Sequence, residues 1–413
     1  MLSIRDPIHG FIRTDPLEAA LLQSRPMQRL RFIHQLGLTF LVFPGAEHSR
    51  FSHVLGTMHL AGQIYDAVAS KSDGGLPSEP GALERRLVRV AALLHDIGHA
   101  PFSHSAENLF EGGMDHEDMT MLLLETPEMV DIFERYGEGV DAAAVKRVLT
   151  KKGQGVENLL SEIVTSELDV DKMDYLRRDS LYCGVQYGIY DLQRLIEVLE
   201  PVQDPRDGRW RIGVGHGGIH ALEALLMARY YMFTQVYFNV TSKALELHFN
   251  HWLRGQGIEW PAEPEAFLAH DDLSVLQAMR ASDDLHARAV VHRERFNLAY
   301  ETEEHLSPWR RRRFLDLIPR LREEFGEQNL LVDHSEKDPH RLAQNRVWVR
   351  RFDGSLQTMN EASAFIGGLS RIDCVRVYAP SGLKEEVRRA VGAAWDSGWD
   401  PGVVSDRPGH AEA

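Results

Sequence analysis

The chain has 413 residues, 43% of them hydrophobic, which allows a large core in two or three structural parts and excludes a chain dominated by disorder. Its 46 Lys and Arg stand against 61 Asp and Glu, a formal net charge of −15 that argues against broad binding to nucleic acid; an anionic substrate has to meet a local basic pocket. Two distant cysteines, Cys183 and Cys374, exclude a disulfide framework and a cysteine zinc motif, and with no signal-peptide stretch or membrane-spanning run the expected location is a reducing cytoplasm, without a membrane partner.

The opening run Ser3-Ile4-Arg5-Asp6-Pro7-Ile8-His9-Gly10-Phe11-Ile12 predicts two short strands about a Pro/Gly turn, followed by helices over 17–23 and 27–35. Helical periodicity returns at 50–70, 83–97, 116–125, 157–180, 190–199 and 217–251, with a Gly/Ser/Pro loop at 71–82 and a hairpin at about 202–214. Beyond 325 the pattern changes: Leu330-Leu331-Val332, Arg346-Val347-Trp348-Val349 and Cys374-Val375-Arg376-Val377-Tyr378 read as strands, with helices at 359–367 and 382–396. The expectation is a mainly α fold: a helical core over 1–325 with short N-terminal strands, a small α/β lobe over 326–400, and a flexible tail over 401–413.

Two patterns are set aside. Gly213, Gly215 and Gly218 satisfy G-x-G-x-x-G, but their strand belongs to the predicted hairpin and no βαβ unit surrounds it. The run Trp309-Arg310-Arg311-Arg312-Arg313 reads as a solvated helix face that could serve an anionic effector, and it is left unassigned.

The densest chemical signal is Ala91-Ala92-Leu93-Leu94-His95-Asp96-Ile97-Gly98-His99, an apolar helix that ends on ionisable groups. Neighbouring helical residues point about 100° apart. His95 and Asp96 therefore reach one cation only near a helix end, and Gly98 with Pro101 supplies that end. With His53 upstream and an aspartate from Asp169-Val170-Asp171-Lys172 downstream, two imidazoles and two carboxylates suit a divalent transition metal such as Mn, Fe, Co, Ni or Zn. Such a set leaves positions for water and substrate and points to hydrolysis.

His99, His104, Glu107 and His116 follow closely, and Glu107 with His116 is the expected dyad for delivering a proton to a leaving oxygen. Asp171, Tyr175 and Asp179 lie four apart on one helical face, while Lys172 and Arg50 are candidates to neutralise phosphate. Spacing alone does not choose among Asp169, Asp171 and Asp174 as the ligand. The run from Arg229 to Tyr237 is aromatic; it offers stacking for a base, although core packing is the simpler reading.

Together these residues resemble the HD-domain phosphohydrolases, and more closely the deoxynucleoside triphosphate triphosphohydrolases that include the SAM-and-HD-domain dNTPase. The likeness runs through Asp6-Pro7-Ile8-His9-Gly10, Gln28-Arg29-Leu30-Arg31, Gln35-Leu36-Gly37, Phe43-Pro44-Gly45-Ala46, Arg50-Phe51-Ser52-His53, the stretch from His95 to His104, and Asp169 to Tyr175. The resemblance implies a helical HD core with a smaller C-terminal lobe, and release of inorganic triphosphate from a dNTP by a metal-activated water attacking the α-phosphate. It implies His53, His95, Asp96 and Asp171 as metal ligands, with Mg admitted alongside the substrate triphosphate, and it sets His99, His104 and His116 around the reacting phosphate. It also implies Gln35, Leu36, Tyr175 and Asp179 as a sugar pocket without room for a 2′-hydroxyl, Arg50, Lys172 and Arg229 on the triphosphate, and Tyr237 near the base. Homo-oligomers, dimers or tetramers, are the expected assembly.

Two positions depart from the pattern. Gln23 stands where relatives carry an acidic reader of a guanine effector, and Asn239-Val240 replace a His-Lys pair. GTP activation and one phosphate contact are therefore not carried over, and no SAM-type domain is expected ahead of the core. The alternatives are an HD-family phosphatase acting on nucleoside monophosphates or other phosphoesters, and a nucleotide-sensing or nucleic-acid-binding regulator.

Overall fold

The structure, a computed structural model, describes residues 2–72, 76, 82–338 and 347–396. The tail at 401–413, Arg346 and most of the loop at 71–82 lie outside the described residues.

The chain opens as expected on an antiparallel hairpin, Ser3–Asp6 with Gly10–Arg13, closed by Asp6, whose side chain accepts from the backbone N–H of Ile8 and His9 at 2.8 and 2.9 Å. The centre of the molecule is the helix Arg50–Ala69, buried along most of its length through residues such as Val54, Leu55, Met58, Ala61, Ile64 and Tyr65. A helix apolar on nearly every face has to be enclosed by others. Leu83–Leu94 packs on one side of it and Val170–Cys183 on another. The mainly helical architecture is thus the observed one, and among the described residues no helix is long and apolar enough to cross a membrane.

Several spans differ from the periodicity. The stretch 157–180 is two helices, Val156–Val164 and Val170–Cys183, because Asp169 caps the second by accepting from Lys172 N–H at 2.8 Å. The stretch 217–251 divides into Ile219–Met232, a wide turn over Phe233–Tyr237, and Val240–Gly255, whose cap is Asn239. The helix expected over 27–35 ends at Arg29 and tightens into a 3₁₀ turn, Leu30–Phe32.

The strands make two further sheets. Leu199–Gln203 and Trp210–Gly215 form the expected hairpin, so the glycine pattern there opens no βαβ unit. Trp348–Arg350 joins this hairpin in parallel, Val214 opposite Val349, and does not enter the C-terminal sheet. That sheet has the order Asn297–Glu301, Ile372–Ala379, Leu331–Lys337, taking one strand from before residue 326. The arginine run is used in packing this lobe: Arg311 bridges Glu336 and Asp373, Arg310 pairs with Glu303, and Arg310 and Arg313 lie over the Trp395 ring.

Candidate metal centre and its surroundings

Two close helix contacts build the site. Gly98 sits where a Cβ would collide with the His116 carbonyl and the Thr120 amide nitrogen, so only glycine lets the end of Leu83–Leu94 seat on helix His116–Leu123. The seat is fixed by Gly98 N–H donating to Thr120 Oγ1 at 3.1 Å, and it lays the His99 ring on His116 with centroids 4.0 Å apart. Gly56 likewise has no room for a Cβ against Asp174 and Arg178, which brings the second turn of Arg50–Ala69 against Val170–Cys183.

These contacts bring His53, His95, Asp96 and Asp171 together. His53 Nε2 lies 2.9 Å from Asp171 Oδ1 and 3.8 Å from Asp96 Oδ2; His95 Nε2 lies 3.2 Å from Asp96 Oδ1 and 3.7 Å from Asp171 Oδ1. Asp169 is the helix cap and Asp174 meets His53 on its opposite, Nδ1 edge, so Asp171 is the aspartate that meets the Nε2 atoms of both imidazoles.

The donor set fits a divalent cation. His95 Nδ1 donates to Ala92 carbonyl at 2.8 Å, which leaves its Nε2 as the lone-pair nitrogen; that atom is buried with no hydrogen-bond partner. A buried polar atom of this kind calls for a ligand. Burial pushes the His53 ring down, but its hydrogen bonds with Asp171 and Asp174 prevail and hold it up at about 10. Burial also opposes ionisation of Asp96, yet His95, Arg50 and His99 keep it well below the usual carboxylate range. Asp171 is held down in the same way by His53 and His95. Arg50 pairs with Asp96 directly and donates to Ser103 Oγ at 2.7 Å.

Beside the quartet, Glu107 receives His104 Nδ1 at 2.7 Å on one oxygen and His116 Nδ1 on the other. Burial opposes the charge on Glu107, and the two histidine hydrogen bonds outweigh it. Burial likewise lowers His116, but Glu107 raises it further, whereas His99 is pushed well down by burial, Arg50 and His116. The two stacked rings are thus pushed in opposite directions, His116 up and His99 well down.

The expected sugar-pocket residues are linked through His48. Gln35 N–H donates to His48 carbonyl at 3.0 Å, His48 Nε2 meets Asp179 Oδ1 at 2.8 Å, and Tyr237 hydroxyl donates to Asp179 Oδ2 at 2.7 Å. Leu36 leads into the turn Gly37–Leu41. Tyr175 meets Tyr237 edge-on at 6.2 Å, and burial pushes its hydroxyl up to about 12. Gln35 Oε1 and His48 Nδ1 are buried without partners.

Lys172 and Arg229 each hold an acid of their own: Lys172 donates to Asp169 at 2.6 Å and Ser166 carbonyl at 2.7 Å, and Arg229 to Glu167 at 3.2 Å. Asn239 spends its side chain capping the next helix, accepting from Thr241 N–H at 2.9 Å, and Gln23 is exposed. The supporting roles of His48, Asp174, His9 and Arg178 were missed. The i, i+4 spacing of Asp174 and Arg178, and the quoted Asp6-Pro7-Ile8-His9-Gly10 run, were the available signals.

The pattern described as HD domain matches residues 50–179, and the one described as HD associated region matches residues 190–396. A hypothetical protein from Aquifex aeolicus of known crystal structure is 31% identical, with a TM-score of 0.80 over 94% of this chain and 99% of that one. A phosphohydrolase from Bacteroides thetaiotaomicron is 26% identical, with a TM-score of 0.72 over 92% and 99%. A deoxynucleoside triphosphate triphosphohydrolase of Homo sapiens is 34% identical over 226 residues, 48% of this chain and 36% of that one. The chain likewise spans only 53% of a curated Bacillus subtilis relative.

Proposed function

The chain belongs to the HD-domain family, with its HD-associated region, and from that premise we propose a metal-dependent hydrolase that converts a deoxynucleoside triphosphate to deoxynucleoside and inorganic triphosphate. The observation that carries this reading is the chain from buried Gln35, His48 and Asp179 to half-buried Tyr237, which ends beside Tyr175, one helical turn from Asp171. It supports a small polar ring held against the cation site, as a deoxyribose would be, and the name of the human relative supports the same substrate.

In this reading His53, His95, Asp96 and Asp171 hold Mn, Fe, Co, Ni or Zn, and Mg accompanies the triphosphate. Bound there, the cation supplies Lewis-acid stabilisation of charge on the α-phosphate and a nucleophile at neutral pH. Arg50, Lys172 and Arg229 neutralise the phosphates, the latter two by exchanging Asp169 and Glu167 for substrate oxygens. Water attacks the α-phosphorus and the bond to the sugar 5′-oxygen breaks. Glu107 orients His104 and His116 so that one of them protonates that oxygen, and neutral His99 keeps His116 in place by stacking. Gln35, Leu36, Tyr175 and Asp179 close around the sugar, and Tyr237 stands near the base.

The test is incubation of metal-reconstituted protein with each dNTP and NTP, followed by anion-exchange separation of the products. Triphosphate plus deoxynucleoside from dNTPs alone is expected. Orthophosphate in place of triphosphate would move the assignment to a phosphatase. Light scattering of the same preparation checks the proposed homo-oligomer.

A further inference from the structure

We infer that Asp174, anchored by the N-terminal hairpin, is a positioning residue for the metal ligand His53; the inference rests on the cation-site reading above. Asp174 is fully buried, and its carboxylate receives four donors: His53 Nδ1 at 2.8 Å, His9 Nε2 at 2.7 Å, and Arg178 through Nε at 2.7 Å and Nη2 at 2.9 Å. Four donors fill the lone-pair positions of one carboxylate, so it has a single orientation. That orientation holds the Nδ1 proton of His53 and turns Nε2 toward Asp171 and Asp96.

The anchor lies in the hairpin. Arg178 also donates to Asp6 Oδ2 at 2.9 Å, while Asp6 Oδ1 holds the turn that carries His9. His9 and Asp6, 165 and 172 positions from the Asp174 and Arg178 they contact, thus set the angle of an imidazole to which neither is hydrogen-bonded. Gly56 completes the arrangement, since any side chain there would displace Asp174 and Arg178 together. The device also accounts for the two aspartates three residues apart: Asp171 faces the cation site, and Asp174 holds the ring that shares it.

The experiment titrates cobalt(II) into the chelator-treated full chain, reading affinity by calorimetry and coordination by the visible d–d band. Asp174→Asn is expected to weaken binding by about 10- to 100-fold with an altered band, and His9→Ala by a smaller factor in the same direction. Glu18→Gln is the structural control. Buried Glu18 accepts from Arg89 at 2.6 and 2.8 Å, and Arg89 also donates to Arg13 carbonyl, so this pair ties down the same hairpin without touching Asp174. It should lower Tm and leave cobalt affinity unchanged. Wild-type affinity in folded Asp174→Asn and His9→Ala, or equal weakening in Glu18→Gln, would overturn the inference. Absence of binding to the wild-type chain, or undiminished binding in Asp171→Asn, would overturn the cation-site reading instead.

Discussion

Glu107 touches two imidazoles, which makes it an orienting group whose removal tests the proton path separately from binding. Glu107→Gln is expected to lower kcat by about 10²-fold or more with KM little changed, in steady-state kinetics on the fastest dNTP; a loss confined to KM would assign Glu107 to substrate binding. Tyr237 offers a complementary probe because its hydroxyl donates to Asp179. Tyr237→Phe keeps the ring and removes that charge-assisted bond, so nucleotide binding should weaken roughly tenfold while metal content stays at the wild-type level. Unchanged affinity would leave Tyr237 as a packing residue. At this scale the sequence showed which residue types gather, and three aspartates within Asp169–Asp174 remained equivalent by spacing. What separated them joins local and distant contacts: a cap on Lys172 three residues on for Asp169, the distant imidazoles of His53 and His95 for Asp171, and Arg178 one turn on with the distant His9 for Asp174.

The elements hold the site through close approach. Gly98→Ala would drive a Cβ into the backbone of His116 and Thr120, and backbone cannot rotate aside. The expected cost is about 1–3 kcal/mol in urea unfolding, accompanied by loss of turnover as His99 moves off His116. Full stability in this variant would mean that the turn re-seats freely. Helices such as Arg50–Ala69 and Leu83–Leu94 were legible because their apolar runs are long. The breaks at Thr165–Asp169 and Phe233–Tyr237 were not, since a capping residue inside a periodic stretch, Asp169 in one and Asn239 in the other, leaves the period intact on either side.

A buried imidazole outside the candidate cation quartet, His248, bears on the stability of the whole molecule. His248 is fully buried, accepts Phe296 N–H at Nε2 at 3.0 Å and meets His286 Nδ1 at 2.9 Å. Burial, then the neighbouring His286, His251 and Arg295, push it down to about 3. The folded form therefore resists a proton that the unfolded chain takes up below about 6.5. Its contribution is complete above that value and falls with pH from about 6.5 toward the folded value, with a slope approaching ~1.4 kcal/mol per pH unit. Histidines raised by carboxylates, such as His34 and His116, act in the opposite sense, stabilising the fold below their unfolded pKa and ceasing to do so as pH rises through the folded one. His248→Gln isolates the effect: the stability gap between wild type and variant should narrow between pH 7 and pH 5 in urea melts. Parallel profiles would show that His248 takes no part.

The sequence by itself determined the helical class and showed which acids and bases cluster around His95 and Asp96, because those follow from local periodicity and from residue types gathered at short spacing. The family resemblance already pointed to Asp171 among the aspartates, and only the tertiary structure decided how the hairpin residues His9 and Asp6 reach His53 through Asp174, and which strands pair. Trp348–Arg350 joins the hairpin strand Trp210–Gly215, and Asn297–Glu301 joins the C-terminal sheet. Period tells which face of an element is apolar; which partner covers that face is set by contacts between residues far apart in the chain.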